Sequence, residues 1–333
     1  MHLINTLVKG NGEIRVRFLE HHVHAKADAF LLTAQDENGT EVLLIDGGWQ
    51  TGETLCDMLK LRREMLAKAS LLSEENNADY KMEISLLVSH FHIDHVEAMI
   101  TEIIPCPYFS VKHVYYPPES ELKNNKRYPI THNGDIEHRP RFMAALETYQ
   151  KQAVHHEYAF AQEETVPFGP GKMRIMMSLD DWGTEALSQY AEKLYFATKP
   201  EEVQVKVGIP IVNANCLWMQ LIAFGKKVLF TSDTMKRRWD ADDEAMDRFM
   251  RRHGDSLVSD IVKYPHHGVL RNEAWPNVQK LLKTTDPAHC VVLTGSKGHE
   301  ESGPYLTENQ IPWVDLNDGT VTFSLTEKGL ERL

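Results

Sequence analysis

Leu86-Leu-Val-Ser-His90-Phe-His92-Ile-Asp94-His95 places three imidazoles and one carboxylate within six consecutive positions, directly after an apolar run. Imidazole is a common ligand of zinc, iron and manganese, and a carboxylate beside it allows a second cation to lie close to the first. A run of surface histidines is the alternative, but it gives no reason for this spacing. The stretch therefore predicts a metal site.

The pattern on either side of this stretch places the site on a loop. Residues 83–88 have the apolar composition of a buried strand. Residues 94–104 carry apolar side chains at helical spacing, including Val96, Met99 and Ile103. The predicted metal ligands therefore lie where a strand ends and a helix begins.

Three other segments end apolar, strand-like runs with acidic or imidazole side chains: Asp46-Gly47-Gly48, Asp233-Thr234 and Pro265-His266-His267-Gly268. With the cluster at 90–95, their order resembles the signature of the metallo-β-lactamase fold superfamily. The segments span about two thirds of the chain, so the resemblance concerns the whole fold. It implies an α/β protein, a four-layer αββα sandwich in which two sheets face each other and the metals lie at one edge.

The resemblance also implies which side chains bind two metals. His90 and His92 would hold the first metal, Asp94 and His95 the second, and Asp233 would bridge both. The spacing agrees with this division, because imidazoles two positions apart on an extended loop point the same way. A carboxylate and an imidazole in the following turn then reach a second point about 4 Å away.

Asp46 and the two histidines of the His-His-Gly turn take further roles by the same resemblance. Asp46 would accept the N–H of a ligand imidazole and fix its tautomer, and a turn carboxylate before two glycines is the alternative. His267 aligns with the last ligand of the second metal. His266 is then a candidate for contacting substrate or for donating a proton to the leaving group, with a packed histidine beside the ligands as the alternative.

One departure from the superfamily pattern concerns the first metal. Many members place a further histidine before the bridging Asp, whereas this chain has Asn213-Ala-Asn215-Cys216. Asn213 and Asn215 are candidates for weak metal binding or for a hydrogen bond to a substrate oxygen, and a turn role is the alternative. These asparagines and the His-His-Gly turn resemble the branch that includes the C-terminal domain of ComEC-type DNA-uptake proteins and phosphodiester-cleaving relatives.

Other polar segments give weaker indications of a site. ComEC-like relatives have a Gly-x-Gly-Asp segment where this chain keeps only Asp28-Ala29. His299 follows the last core strand and is a candidate for contacting substrate. Two further groups have surface exposure as the favoured interpretation, with the cleft rim or a phosphate contact as the alternative: His21, His22 and His24, and Lys236-Arg237-Arg238.

The bulk composition limits the partners. A net charge of -12 and a pI near 5.8 argue against a broad basic face for long nucleic acid, and leave a small-molecule or short anionic substrate. No run of about 18 apolar residues predicts a membrane span, and the first residues lack the apolar core of a signal peptide, so we expect a soluble, cytoplasmic protein. Four scattered cysteines predict buried free thiols. A homo-oligomer remains open.

The order of predicted elements favours one domain over residues 1–333. Residues 13–18, 29–34 and 42–45 form a β meander, residues 51–69 a helix, and residues 216–230 a hairpin. Later segments predict helices at 242–253 and 278–283, and strands at 261–264, 290–293 and 321–325. Residues 119–205 are polar and irregular apart from a predicted helix at about 139–153 and a predicted strand at 172–177, and we expect an insertion that caps the active site.

Together these features predict a hydrolase with two divalent metal ions, zinc in the first place and manganese or iron as alternatives. A metal-bridging hydroxide would attack a phosphoester, most readily a phosphodiester. We expect Asp94, Asp233 and His266 to take part in catalysis. A lactone, amide or β-lactam hydrolase is one alternative, and a metal-bearing binding or regulatory protein with little catalysis is another.

Overall fold

The computed structural model describes residues 2–21, 27–73, 78–119, 134–178, 213, 215–234, 240–268, 275–295, 300–316 and 319–333. Its strands within these ranges are β1 His2–Leu3, β2 Glu13–Phe18, β3 Phe30–Gln35, β4 Thr40–Ile45, β5 Tyr80–Leu87, β6 Phe109–Tyr116, β7 Val154–Glu157, β8 Glu163–Phe168, β9 Gly171–Met177, β10 Leu217–Ala223, β11 Lys226–Phe230, β12 Ile261–Lys263, β13 Cys290–Leu293, β14 Trp313–Asp315, β15 Val321–Thr326 and β16 Gly329–Arg332.

These strands form two sheets. The first has the order β16-β15-β2-β3-β4-β5-β6-β7, with β1 paired to β5, and the second has the order β14-β13-β12-β11-β10-β9-β8. The described helices are α1 Glu53–Lys68, α2 Ile93–Ala98, α3 Gly134–Tyr149, α4 Asp240–His253, α5 Trp275–Thr285 and α6 Gly303–Glu308, and α2 continues into one π-helical turn, Met99–Ile103.

Successive residues along the strands point to opposite faces of each sheet, and both faces are covered, which gives four layers. In β3, Leu31 packs with the helices α1 to α3, whereas Leu32 faces the second sheet. In β5, Leu86 and Leu87 divide in the same way, so this strand is buried on both faces. The helices α4 to α6 cover the other side of the second sheet around Trp218. The layer order is therefore αββα, as predicted.

Parallel pairing brings the four polar segments to one edge. Strands β4 and β5 run parallel, as do β11 and β12, so their carboxyl ends lie at the same edge of their sheets. Residues 46–48 follow β4, and residues 88–95 follow β5. Residues 231–233 follow β11, and residues 264–268 follow β12. The candidate ligands are thus gathered by strand order.

The meander β2–β3–β4 and the hairpin β10–β11 confirm the predictions for these segments. Helix α1 confirms the helix predicted at 51–69, within two residues at its start. The hairpin turns at Phe224 and Gly225, which both have positive φ, 53° and 73°. That backbone matches the twist of the flanking strands.

Residues 119–205 contain more regular structure than the irregular insertion that we predicted, although the helix predicted at about 139–153 and the strand predicted at 172–177 correspond to α3 and β9. The described middle of this region, residues 134–178, contains the helix α3 and the strands β7, β8 and β9. Strand β7 extends the first sheet beside β6, and β9 pairs with β10 in the second sheet. These residues therefore belong to both sheets. Residues 120–133 and 179–212 lie outside the described residues, and so does the predicted capping of the site.

All four cysteines are free, as expected, but only Cys216 and Cys290 are buried. Cys56 is exposed and Cys106 is half-buried, so the prediction of buried thiols was wrong for these two.

In the part of the chain that the structure describes, no helix combines the length and the apolar character needed to cross a membrane.

His253, which lies outside the metal motifs, makes the free energy of unfolding depend on pH. Burial lowers the pKa of His253 to about 4, and the charge of Arg174 acts in the same direction, although Glu163 opposes both. The Nη2 of Arg174 donates a hydrogen bond of 2.9 Å to the Nδ1 of His253. The folded state therefore keeps this imidazole neutral, whereas the unfolded chain protonates it below about pH 6.5.

We expect the free energy of unfolding to fall between about pH 6.5 and pH 4, because the unfolded state binds the extra proton in this range. In His253→Asn, which retains a hydrogen-bond acceptor but cannot titrate, the fall should be shallower. Urea unfolding followed by circular dichroism at several pH values measures both slopes. Equal slopes in the two proteins would contradict the prediction.

Candidate metal centre

Asp233 lies at the centre of the gathered side chains. Its Oδ2 is 3.5 Å from the Nε2 of His267, 3.6 Å from the Nε2 of His95 and 3.7 Å from the Nε2 of His266. The Nε2 of His267 is also 3.4 Å from the Oδ2 of Asp94. Three predicted segments, which extend from Asp94 to His267 in the chain, are therefore in direct proximity at the sheet edge.

His90 and His92 extend this cluster. The Nε2 of His90 is 3.0 Å from the Nδ1 of His92, and the ring of His90 lies 4.0 Å from the ring of His95 between centroids. His90 and His95 are fully buried. All six residues predicted to bind metal are thus contiguous in space.

Asp46 orients His95 from the side opposite Asp233. The Oδ2 of Asp46 accepts a 2.8 Å hydrogen bond from the Nδ1 of His95. Ser89 donates to the same carboxylate through its backbone N–H and its hydroxyl, at 2.8 and 2.7 Å. A proton of His95 is therefore held at Nδ1, so Nε2, on the side of Asp233, is the nitrogen that could bind a metal. Asp46 thus lies where it could accept the N–H of a ligand imidazole.

Asp28 holds His267 in the equivalent way, and we did not predict this role from the sequence. The Oδ1 of Asp28 is 3.0 Å from the Nδ1 of His267. Its Oδ2 forms an ion pair with Lys263, which is also fully buried. The sequence offered one signal, since Asp28 is the acid retained from the Gly-x-Gly-Asp segment. Nothing in the strand pattern around Lys263 indicated a contact with it.

The electrostatics of this cluster favour a positive charge at its centre. Burial opposes the charged form of His95, but Asp46 and Asp233 outweigh it and raise the pKa of His95 to about 10. Burial likewise opposes ionisation of Asp94, yet the hydrogen bond from His267 and the nearby imidazoles lower the pKa of Asp94 to about 2. A metal cation that replaced the imidazole protons would be stabilised by the same carboxylates, those of Asp46, Asp94 and Asp233.

The donor atoms fit a divalent metal. Asp28, His95, Asp233 and His267 each offer an atom within 4.8 Å of the others. The Nε2 atoms of His95 and His267 are buried and face only carboxylate oxygens at 3.4 to 3.6 Å among the described residues, so an interaction with a cation would compensate their desolvation. Imidazole nitrogen and carboxylate oxygen together suit zinc, manganese or iron.

The loops that carry these residues have strained backbones. Asp46, Ser232, His266 and His267 all have positive φ, between 49° and 58°. Non-glycine residues rarely adopt this conformation, which is concentrated at functional sites.

At Gly48, where φ is 71°, an added Cβ would lie 2.5 Å from the Cε1 of His21. The ring of His21 is buried there, so our expectation of an exposed His21 was wrong.

The two asparagines at the start of β10 are buried near the same edge. Both side-chain polar atoms of Asn213, and the Oδ1 of Asn215, have no hydrogen-bond partner among the described residues. The Nδ2 of Asn215 donates to the backbone oxygen of Pro118 at 2.9 Å. Leu217, directly after them, donates from its backbone N–H to the oxygen of Ser89, beside the metal motif. His22, His24, residues 236–238 and His299 lie outside the described residues.

A sandwich of this layer order, with the acidic and imidazole side chains gathered at one edge, has the metallo-β-lactamase fold. Similar solved structures include unliganded yeast PDE1, with 10% identity and a TM-score of 0.52 over 93% of this chain and 99% of that one. The YhfI protein from Bacillus subtilis, described as a metallo-β-lactamase fold protein, gives 10% identity and a TM-score of 0.44 over 94% and 99%.

The short form of human tRNase Z (ELAC1) gives 10% identity and a TM-score of 0.39 over 85% of this chain and 92% of that one. No family model matches the sequence, and no curated protein matches it. At this level of identity the similarity shows the fold alone.

Proposed function

We propose that this protein is a hydrolase that uses two divalent metal ions, with zinc as the first candidate and manganese or iron as alternatives. One observation carries the proposal: the Oδ2 of Asp233 lies within 3.7 Å of three imidazole nitrogens from two separate loops. A buried carboxylate in this position can share its charge between two cations. His90 and His92 would hold one metal, and Asp94, His95 and His267 the other.

When bound, two close divalent ions lower the pKa of a water molecule and stabilise the charge that develops on the attacked centre. The protein supplies the orientation. Asp46 and Asp28 keep the protons of His95 and His267 at Nδ1, so that both Nε2 atoms remain free to bind. The carboxylate of Asp94, whose side chain is 23% exposed, faces the accessible side of the centre.

His266 is the candidate general acid. Its side chain is 16% exposed, whereas that of His267 is 2% exposed, and its Nε2 lies 3.7 Å from Asp233. Because His266 is next to the centre and still reachable from solvent, it can hold a proton close to a leaving-group oxygen. This geometry supports the division in which His267 binds metal and His266 acts on the substrate.

The substrate that we propose is a phosphodiester in a small or short anionic molecule. The amide group of Asn213, which has no hydrogen-bond partner among the described residues, supports it, because its Nδ2 offers a donor to a non-bridging oxygen at the metal-binding edge. The likeness of the Asn-Ala-Asn segment and the His-His-Gly turn to the ComEC-type branch supports it as well. His299, outside the described residues, remains a proposed substrate contact.

The test combines metal analysis with a panel of substrates. We expect about two equivalents of zinc or manganese per chain and metal-dependent cleavage of bis(p-nitrophenyl) phosphate. His92→Ala should lower this turnover at least about a hundredfold, since it removes a metal ligand. His113→Ala is the matched control, because His113 contacts His156 in the first sheet and none of the proposed ligands.

Two results would contradict the proposal. Cleavage of a lactone, an amide or nitrocefin without cleavage of any phosphodiester would replace the proposed substrate class. Tight binding of metal without turnover of any substrate in the panel would indicate a metal-bearing binding protein.

A further inference from the structure

Lys263, at the end of β12, is a fully buried lysine beside the proposed metal ligands. Its Nζ forms an ion pair with the Oδ2 of Asp28 and lies 3.8 Å from the Oδ1 of Asp233. It also donates a 3.2 Å hydrogen bond to the backbone oxygen of Ser232. A buried ammonium group is costly unless it is paired, so its partners are essential to its position.

Asp28 uses its two oxygens for two different partners. Its Oδ2 meets Lys263, and its Oδ1 meets the Nδ1 of His267, which is 239 positions away in the chain. The other nitrogen of His267, Nε2, faces Asp94 and Asp233. Asp28 therefore contacts the imidazole on the side away from the proposed metals, although its carboxylate lies within 4.8 Å of the ligand atoms.

Asp28 also connects separate parts of the fold. It precedes β3 of the first sheet, and its backbone N–H donates to the backbone oxygen of Asp94 at 3.3 Å. Lys263 and His267 belong to the second sheet and the turn after it. The contact of Lys263 with Asp28 thus fixes one sheet against the other at the metal-binding edge.

We propose that Lys263 is a positioning residue that acts through Asp28. Lys263 keeps the Asp28 carboxylate in place, so that Asp28 holds the Nδ1 proton of His267 and directs Nε2 to the second metal. This inference rests on the proposed function. The direction of the change in metal affinity tests it. The positive charge of Lys263 alone would weaken the binding of a cation, whereas the positioning of Asp28 by Lys263 strengthens it.

The experiment is a double-mutant cycle on the full chain, with zinc as the probe. Zinc affinity is measured by competition with a chromophoric chelator for the wild type, Lys263→Met, Asp28→Asn and the double variant. We expect each single substitution to raise the Kd for zinc about 10- to 100-fold. The double variant should lie within about threefold of the weaker single variant, because both act through one contact.

A second readout separates positioning from a general loss of stability. The visible absorption spectrum of the cobalt-loaded protein should change in Lys263→Met and in Asp28→Asn, since the orientation of His267 changes. Lys226→Met is the matched control, because it removes another lysine–aspartate contact, the 3.0 Å pair of Lys226 and Asp260, away from the metals. Its zinc affinity and cobalt spectrum should equal those of the wild type.

The outcomes distinguish this inference from the proposed function. Zinc binding by Lys263→Met that equals or exceeds that of the wild type overturns the inference alone, as does a double variant in which the two losses multiply. Absence of zinc binding by the wild type overturns both. If Lys263→Met fails to fold, the double variant decides, because it leaves no unpaired buried charge: zinc affinity equal to that of the wild type would overturn the inference.

Discussion

Asp233→Asn is expected to lower metal-dependent turnover at least about a thousandfold, which corresponds to about 4 kcal/mol of transition-state stabilisation. The amide keeps the size of the side chain but removes the charge that faces His95, His266 and His267. Burial opposes ionisation of Asp233, yet the surrounding imidazoles hold its pKa well below the usual range. These surroundings therefore favour the ionised carboxylate, which is the form that could bind two cations.

Steady-state kinetics and metal analysis on the same preparations measure this effect. We expect Asp233→Asn to retain less than two equivalents of metal after dialysis. Asp247→Asn is the control, because Asp247 pairs with Lys280 on the outer helices, and its turnover should be unchanged. Turnover within tenfold of the wild type would show that Asp233 does not bridge the proposed metals.

Phe18→Ala is expected to reduce the free energy of unfolding by about 3–5 kcal/mol. Phe18 is fully buried and stacks on Phe230 of the opposite sheet, with ring centroids 5.6 Å apart and planes inclined by 18°. It also meets Phe30 and Phe323 edge-on, at 5.3 and 6.0 Å. The smaller side chain would leave a cavity between the two sheets and remove these aromatic contacts.

Urea denaturation at neutral pH measures the loss of unfolding free energy. Two further substitutions serve as controls. Phe18→Leu should cost less, since leucine fills much of the same volume. Leu7→Ala should change the free energy of unfolding by less than about 0.5 kcal/mol, because the side chain of Leu7 is 49% exposed. A loss below about 1 kcal/mol in Phe18→Ala would mean that the two sheets do not pack closely at this point.

The ligand-bearing loops were predictable because their signals are local. Each begins directly after an apolar run, and parallel strands bring such carboxyl ends to one edge. Asp28 gave only a weak signal, since its partner His267 is 239 positions away and its segment has no motif of its own in this chain. Lys263 gave none, because a single lysine in a short strand resembles a solvent-facing residue.

The middle of the chain was less predictable for a different reason. Strand β7, Val154–Glu157, lies at the edge of its sheet, and three of its four residues are exposed. An edge strand of this kind lacks the alternation of apolar and polar residues by which strands are recognised. Helix α3 was predicted only from about residue 139, because Pro140 weakens the helical pattern of its first turns. Tertiary pairing, more than local composition, determines these elements.

The pairing of β2 with β15 has a consequence for biosynthesis. Glu13 and Ser324 are 311 positions apart, yet their side chains form a 2.8 Å hydrogen bond across these two strands. A ribosome therefore translates β15 about 300 residues after β2. Until β15 has emerged, one edge of β2 lacks its neighbour and is open to pairing with other nascent chains. We therefore expect the first sheet to be completed only after β15 has been synthesised, and the yield in cells to depend on chaperones that protect this edge.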